Sequence, residues 1–209
     1  MIQTSDYIAN WESSPLAEPG LTPWAMTTNA ARIIQSMIPH LDDAYRVTNT
    51  IAIHESATVE DGATLKDAII IGPNAFVSSR SYLRGGVFLE DGCAVGPFCE
   101  VKSSFMHKGS KLAHLGFLGD SILGENVNLE AGVVVANHRN EWTDKEITLL
   151  QMGKEIPTGV TKFGSLIGDN CKVGANSVLA PGTLLKPGSV IPRLTSVDQQ
   201  AKQLIPAML

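Results

Sequence analysis

IGPNAFVSSRSYLRGGVFLEDGCAV, residues 71–95, carries an aliphatic residue at every sixth position: Ile71, Val77, Leu83, Leu89 and Val95. A period of six suits neither an amphipathic helix nor a plain strand meander. The same beat begins upstream at Ile53, Val59 and Leu65 and reaches Val101. It resumes as LGENVN and LEAGVV from Leu123, then as IGDNCK, VGANSV, LAPGTL and LKPGSV between Ile167 and Val190. Four residues after each beat stands a small or β-branched residue, among them Ala57, Ala63, Ala75, Ser81, Val87, Val127, Val133, Ser177, Thr183 and Ser189. Such a repeat predicts a solenoid of short parallel strands. Three hexapeptides close one triangular coil, the aliphatic residues point inward, and coils stack about 4.8 Å apart.

The bulk numbers agree with a single solenoid domain carrying small appendages. The chain has 209 residues, 44% hydrophobic content and a formal net charge of −5. Its basic residues are scattered, so nucleic acid is not an expected partner. No apolar stretch approaches the roughly 20 residues of a membrane span, and MIQTSDYIANWESS lacks the pattern of a secretory leader. A cytoplasmic protein is therefore expected. Cys93, Cys99 and Cys171 all fall on the small position of the repeat, which makes them packing residues rather than ligands.

The solenoid is expected over residues 51–194, with an insertion at 136–166. Residues 1–50 lack the beat and read as a helical cap. In TTNAARIIQSMIPHL, Thr27 or Thr28 would cap a helix with Ile33, Ile34, Met37 and Ile38 on its apolar face, ending at Pro39. The lead-in SSPLAEPGLTPWAM is expected to pack irregularly on the first coil. The insertion contains ITLLQM, GK and EIPTGV, a protruding hairpin. Residues 195–209, TSVDQQAKQLIPAML, read as a capping helix.

One segment breaks the rhythm. KGSKLAHLGFLGD, residues 108–120, places Lys111 and His114 where the beat slips. Nearby stand polar residues that the repeat does not need. Arg84 and Lys102 are one coil apart and should stack, which leaves either a solvated pair or an anion site. Glu100 would orient His114 if the fold brings them together. Asn128 and Asn137 flank the resumed beat, where asparagine also tolerates left-handed backbone. His54, His107 and His138 show no metal-ligand spacing, so no metal is expected, and no nucleotide-binding glycine fingerprint is present.

From Arg84 to Asn137 the chain resembles the C-terminal acetyltransferase domain of the bifunctional bacterial N-acetylglucosamine-1-phosphate uridyltransferases. The residues that carry the likeness are VKSSFMHKGSKLAHLGFLGDSILGENVNLEAG, above all GSK, the histidine three residues after Lys111, LGD and GENVN. The helical lead-in and KFG-containing insertion are similar to stand-alone sugar-phosphate transferase-like proteins. The resemblance implies a left-handed parallel β-helix, a homotrimer with sites at subunit interfaces, and acetyl-CoA as co-substrate. It further implies His114 as catalytic base with Glu100 near it. Arg84 and Lys102 would contact the phosphate of glucosamine 1-phosphate, and Phe117, Asn128, Asn137 and Lys162 would complete the substrate site. Ala131 and Ala175 would line the coenzyme site.

The chain departs from that pattern at four positions: Phe117 replaces a tyrosine, His138 another aromatic, Glu130 a glycine and Ala175 a serine. The residues matching the uridyltransferase half are missing, so nucleotidyl transfer by this chain alone is not expected. A catalytically silent sugar-phosphate or nucleotide-sugar binding module, and a trimeric partner of a separate nucleotidyltransferase, remain the alternatives to an acetyltransferase.

Overall fold

The structure, a computed structural model, describes residues 2–17 and 20–200. The hexapeptide beat forms the interior of a three-faced parallel β-helix. Its first face runs through Ile51–His54, Ile69–Ile71, residues 87–89, residues 104–106, Ile122–Leu123, Ser165–Ile167 and Thr183–Leu185, and its third through Thr64–Leu65, residues 82–84, residues 100–102, Phe117–Gly119, Val134–Val135, Val178–Leu179 and Ser196–Val197. Its second face is a seven-stranded sheet running from Thr58–Val59 to Val190–Ile191, and every pairing in it is parallel. Every residue of the beat, from Ile53 to Val197, contributes to one continuous apolar core, with Val77, Leu83, Leu89, Val95 and Val101 wholly buried. Cys93, Cys99 and Cys171 are buried in that core and unpaired. Burial pushes the Cys93 thiol up to about 12.

The rhythm breaks at a different place from the one expected. Leu112 and Leu118, inside the 108–120 segment, keep the six-residue step and are fully buried. The lost residues lie on either side, between Val101 and Met106 and between Leu118 and Leu123. Arg84 pairs with Lys102 at an offset of eighteen, but Val87 pairs with Ser104 at seventeen. The next coil repeats the shorter offset, with Lys102 beside Gly119 and Phe105 beside Ile122. Both deletions therefore fall at the corner between the third and first faces. Gly85 and Gly86 turn this corner with φ of 73° and 95°, whereas Ser103 and Asp120 do so with φ of 46° and 45°. Serines replace the missing ladder bonds: Ser121 N–H donates to Ser104 Oγ at 3.0 Å, and Ser165 N–H to Ser121 Oγ at 2.9 Å. These groups are buried, where an unpaired N–H would cost about 1–3 kcal/mol.

A second core covers one outer face. Ile70, Phe88, Phe105, Ile122, Leu166 and Leu184, each just before a beat residue, form an apolar column on the outside of the first face. Burying such side chains is worth about 1.5–3 kcal/mol each. The cover is the N-terminal segment, through Tyr7, Ile8, Trp11, Leu16, Met26 and Ile34, together with Ile147, Leu149 and Phe163 of the insertion. Residues 2–17 and 20–41 thus form a lateral strap, and Tyr45–Thr48 alone covers the first coil. Asp169 pins the strap, accepting Ala9 N–H at 2.8 Å while its own N–H donates to Tyr7 carbonyl oxygen at 3.0 Å.

Several boundaries change accordingly. The lead-in contains a helix, α1 (Pro23–Thr28), capped by Thr22, so Thr27 and Thr28 end one helix instead of starting the next. Helix α2 (Ala30–Met37) follows Asn29 and buries Ile33 and Ile34, with Pro39 in a closing 3₁₀ turn. Strand β1 (Tyr45–Thr48) pairs antiparallel with β2 (Ile51–His54), covering that edge of the first face. The insertion hairpin pairs Thr148–Gln151 with Lys154–Pro157 about a Met152–Gly153 turn. Its base packs on the solenoid, because Ile147 and Leu149 are apolar and buried there. Ala136 still belongs to the ladder and Ser165–Ile167 is a first-face strand, so the insertion is narrower than 136–166. In the tail, Ser196–Val197 is another coil strand against Val178–Leu179, since Val197 continues the beat; residues 201–209 of the expected helix lie outside the described residues.

Gly86 is where strap and solenoid touch most closely. A Cβ built there would lie 2.3 Å from Ala31 N and 2.4 Å from Ala30 C, on a residue with φ of 95°. Gly86→Ala is therefore expected to lift α2 from the first face and cost at least about 2 kcal/mol. Urea unfolding checks this; an unchanged midpoint would contradict the docking.

Candidate functional site

Apart from Asn128, the expected site residues gather on and around the third face, in one group at each of its edges. Corner residues bonded from coil to coil assemble the first group. His114 carbonyl oxygen accepts Gly132 N–H, Ala131 oxygen accepts Asn176 N–H, and Ala175 oxygen accepts Leu194 N–H. His114, Ala131 and Ala175 thus form one column at the corner between the second and third faces. The His114 side chain is exposed and makes no hydrogen bond or ion pair among the described residues. Beside this column run three apolar residues in left-handed backbone: Phe98, Leu115 and Leu194, 53%, 66% and 80% exposed with φ of 58°, 54° and 58°. Bulky residues rarely adopt that conformation, which makes this corner strained as well as apolar.

The second group occupies the shortened corner at the far edge of the third face. Arg84 and Lys102 stack there as register neighbours, as their spacing implies. Neither is a bare cation. Arg84 Nε and Nη2 hold Glu100 Oε1 at 2.8 and 2.7 Å, and Lys102 Nζ holds both oxygens of Asp120 at 2.8 and 2.7 Å. Repulsion between the stacked cations is offset within the fold, and Glu100 is given to Arg84 instead of His114. The physical reason is position: Glu100 lies on the third face beside Phe117, whereas His114 lies in the preceding corner. Asn137 donates to Asp120 Oδ2 at 2.5 Å. Asp120 was not singled out from the sequence, although its offset of eighteen from Lys102 is the signal that would have found it.

Lys102 and Asp120 open into a cleft of about 440 Å³ whose walls come from both appendages: Thr27 and Thr28 of the strap, and Gly159–Lys162 of the insertion. Lys162 is exposed and unpaired among the described residues. Asn128 stands apart, outward on the second face next to Lys111 and Lys172. Glu130, at the His114 corner, accepts Ala175 N–H at 2.9 Å and both Arg193 Nε and Nη2 at 2.9 Å. Hydrogen bonds from Arg193 hold its carboxyl below the usual range. Among the described residues no three His, Cys, Asp or Glu side chains gather to hold a metal.

The family model described as the GMPPB C-terminal domain matches residues 47–156, more than half of the chain. The chain belongs to this family. A second match, the hexapeptide repeat of succinyl-transferase, covers residues 166–191, and the coils are those of the left-handed parallel β-helix. Among curated proteins, a bifunctional sugar-1-phosphate nucleotidylyltransferase/acetyltransferase of Sulfurisphaera tokodaii is 30% identical over 77% of this chain and 41% of that protein. The bifunctional protein GlmU of Methanococcus vannielii is 29% identical over 87% of this chain and 44% of its own length. The chain spans less than half the length of these relatives. Among solved structures, an Arabidopsis UDP-N-acetylglucosamine acyltransferase aligns over 69% of this chain and 58% of that chain, with 20% identity and TM-score 0.36. No described helix is long and apolar enough to cross a membrane.

The two ion pairs should differ in weight. Lys102 and Asp120 side chains are only 15% and 6% exposed, against 36% and 32% for Arg84 and Glu100. Lys102→Met strands a buried carboxylate and is expected to cost about 3 kcal/mol. Arg84→Met should cost less than about 1 kcal/mol. Equal losses in urea unfolding would contradict this assignment.

Proposed function

We propose that the chain is an acyltransferase that moves an acetyl group from acetyl-CoA to the amine of an amino-sugar phosphate, with glucosamine 1-phosphate as acceptor. The observation that carries the reading is the column of His114, Ala131 and Ala175 across one face from the Lys102–Lys162 cleft. The acceptor phosphate lies toward Arg84, Lys102 and Lys162, and its sugar crosses the third face over Phe117, with Asn137 beside it. The thioester reaches the His114 corner along Ala131 and Ala175, and Asn128 contributes from the neighbouring face. His114 takes the proton as the amine attacks the thioester carbonyl. Hydrogen-bond donors stabilise the tetrahedral oxyanion, and the coenzyme thiolate leaves and is protonated. No covalent enzyme intermediate is needed. Glu100 fixes Arg84 on the acceptor side of this path.

The reading includes a homotrimer. Phe98 and Leu115 form an exposed apolar pair next to His114, and a second copy seated on it would remove water from the base. One observation favours the silent binding module instead: the Glu130–Arg193 pair occupies the corner and holds Ala175 N–H.

Thiol release from acetyl-CoA separates these readings. Wild type should release thiol only when glucosamine 1-phosphate is present, and His114→Ala should lower kcat at least about 100-fold. Acceptor binding that survives His114→Ala, with no release by wild type, would establish the binding module. Leu115→Glu should convert a trimer to monomers in light scattering and abolish release. A wild-type monomer would contradict the interface.

A further inference from the structure

The third-face corner continues beyond the candidate site. Lys102 stands beside Gly119, and the pairings Leu118 with Val135, Val135 with Leu179, and Leu179 with Val197 extend that column through Ala136 and Ala180 to Asp198. Three small residues in succession, Gly119, Ala136 and Ala180, separate the site from the coil that carries Asp198. Arg139, at the start of the insertion, reaches that coil. Its side chain is only 2% exposed. Nη1 meets Asp198 Oδ2 at 2.6 Å, Nη2 meets Oδ1 at 2.8 Å, and Nη2 also donates to Pro181 carbonyl oxygen at 3.0 Å. The guanidinium stacks 4.3 Å from the Trp142 ring, and Glu141 adds a contact at 3.3 Å. Lys145 Nζ donates to the carbonyl oxygens of Arg139 and Asn140, closing the loop on itself.

We infer that the Arg139–Asp198 pair is a positioning device for the acceptor cleft, an inference that rests on the function proposed above. A bidentate arginine–carboxylate pair with its guanidinium buried fixes direction as well as distance. Two residues before it, Asn137 reaches Asp120, and Asp120 holds Lys102. His138, between them, bonds Thr161 carbonyl oxygen at 3.1 Å, next to Lys162. The last coil therefore sets both the amide that orients the Lys102–Asp120 pair and the insertion wall that carries Lys162. Neither Arg139 nor Asp198 touches the cleft; they act through Asn137 and Thr161.

The test uses the full chain and three proteins: wild type, Asp198→Asn and Asp198→Glu. Losing one charge-assisted contact, worth about 1.5 kcal/mol, corresponds to roughly tenfold in affinity. Asp198→Asn should speed hydrogen exchange across residues 137–162 while the coils from Ile53 to Val135 keep their protection. It should also weaken glucosamine 1-phosphate about tenfold by calorimetry, leave acetyl-CoA affinity within twofold, and be rescued by Asp198→Glu. Unchanged exchange in the insertion overturns the inference. So does faster exchange with unchanged sugar-phosphate affinity, which makes the pair merely structural, or equal weakening of both ligands. A wild type that binds no glucosamine 1-phosphate refutes the acceptor reading by itself, and the exchange arm then still decides whether the pair holds the insertion.

Discussion

Parallel backbone register is the constraint on which everything else depends. Once Arg84 is bonded beside Lys102, whatever occupies that position in the next coil must stand about 4.8 Å further on. Columns are therefore obligatory, and each must be chemically tolerable along its whole length. The interior column is aliphatic. The outer column of the first face is apolar too, and so demands the strap and the base of the insertion as cover. The corner column carrying Arg84 and Lys102 would concentrate positive charge, and it is balanced by Glu100 and Asp120.

The same constraint explains why the irregularities share one place. Shortening a coil by one residue removes a ladder bond, and the serines at 104 and 121 restore it. It also forces Ser103 and Asp120 into left-handed backbone, bringing the Asp120 carboxylate against Lys102. A chain that loses a residue at this corner twice also departs from it to make the insertion and brings helix α1 alongside. The result is a cleft built from four separate stretches of sequence. A regular solenoid has flat faces and offers no such concavity.

Much of this was legible before any coordinates. A six-residue beat admits few alternatives, so the coils and the buried cysteines follow from it, as does the stacking of Arg84 on Lys102. What was misread was the site of the break. Lys111 and His114 draw attention because they are polar, but Leu112 and Leu118 keep time around them; the missing residues are marked only by the shorter steps from Val101 to Met106 and from Leu118 to Leu123. The strap was misplaced for a related reason. Ile70, Phe88 and Phe105 adjoin beat residues, and an apolar pair looks like one strong beat unless the outer face is counted separately. Glu100 pairs with Arg84 across the coil, a partner that its spacing of sixteen from Arg84 does not announce. The Arg139–Asp198 pair, 59 residues apart, had no sequence signal at all.

The most direct measurement is a crystal structure of the chain grown with glucosamine 1-phosphate and coenzyme A. The account predicts the sugar phosphate's anionic end within hydrogen-bonding distance of Lys102 and Lys162, its amine toward His114, and the coenzyme thiol at the Ala131–Ala175 corner. A sugar phosphate bound elsewhere, for example among Asn128, Lys172 and Arg193, with the Lys102 cleft empty, would contradict it.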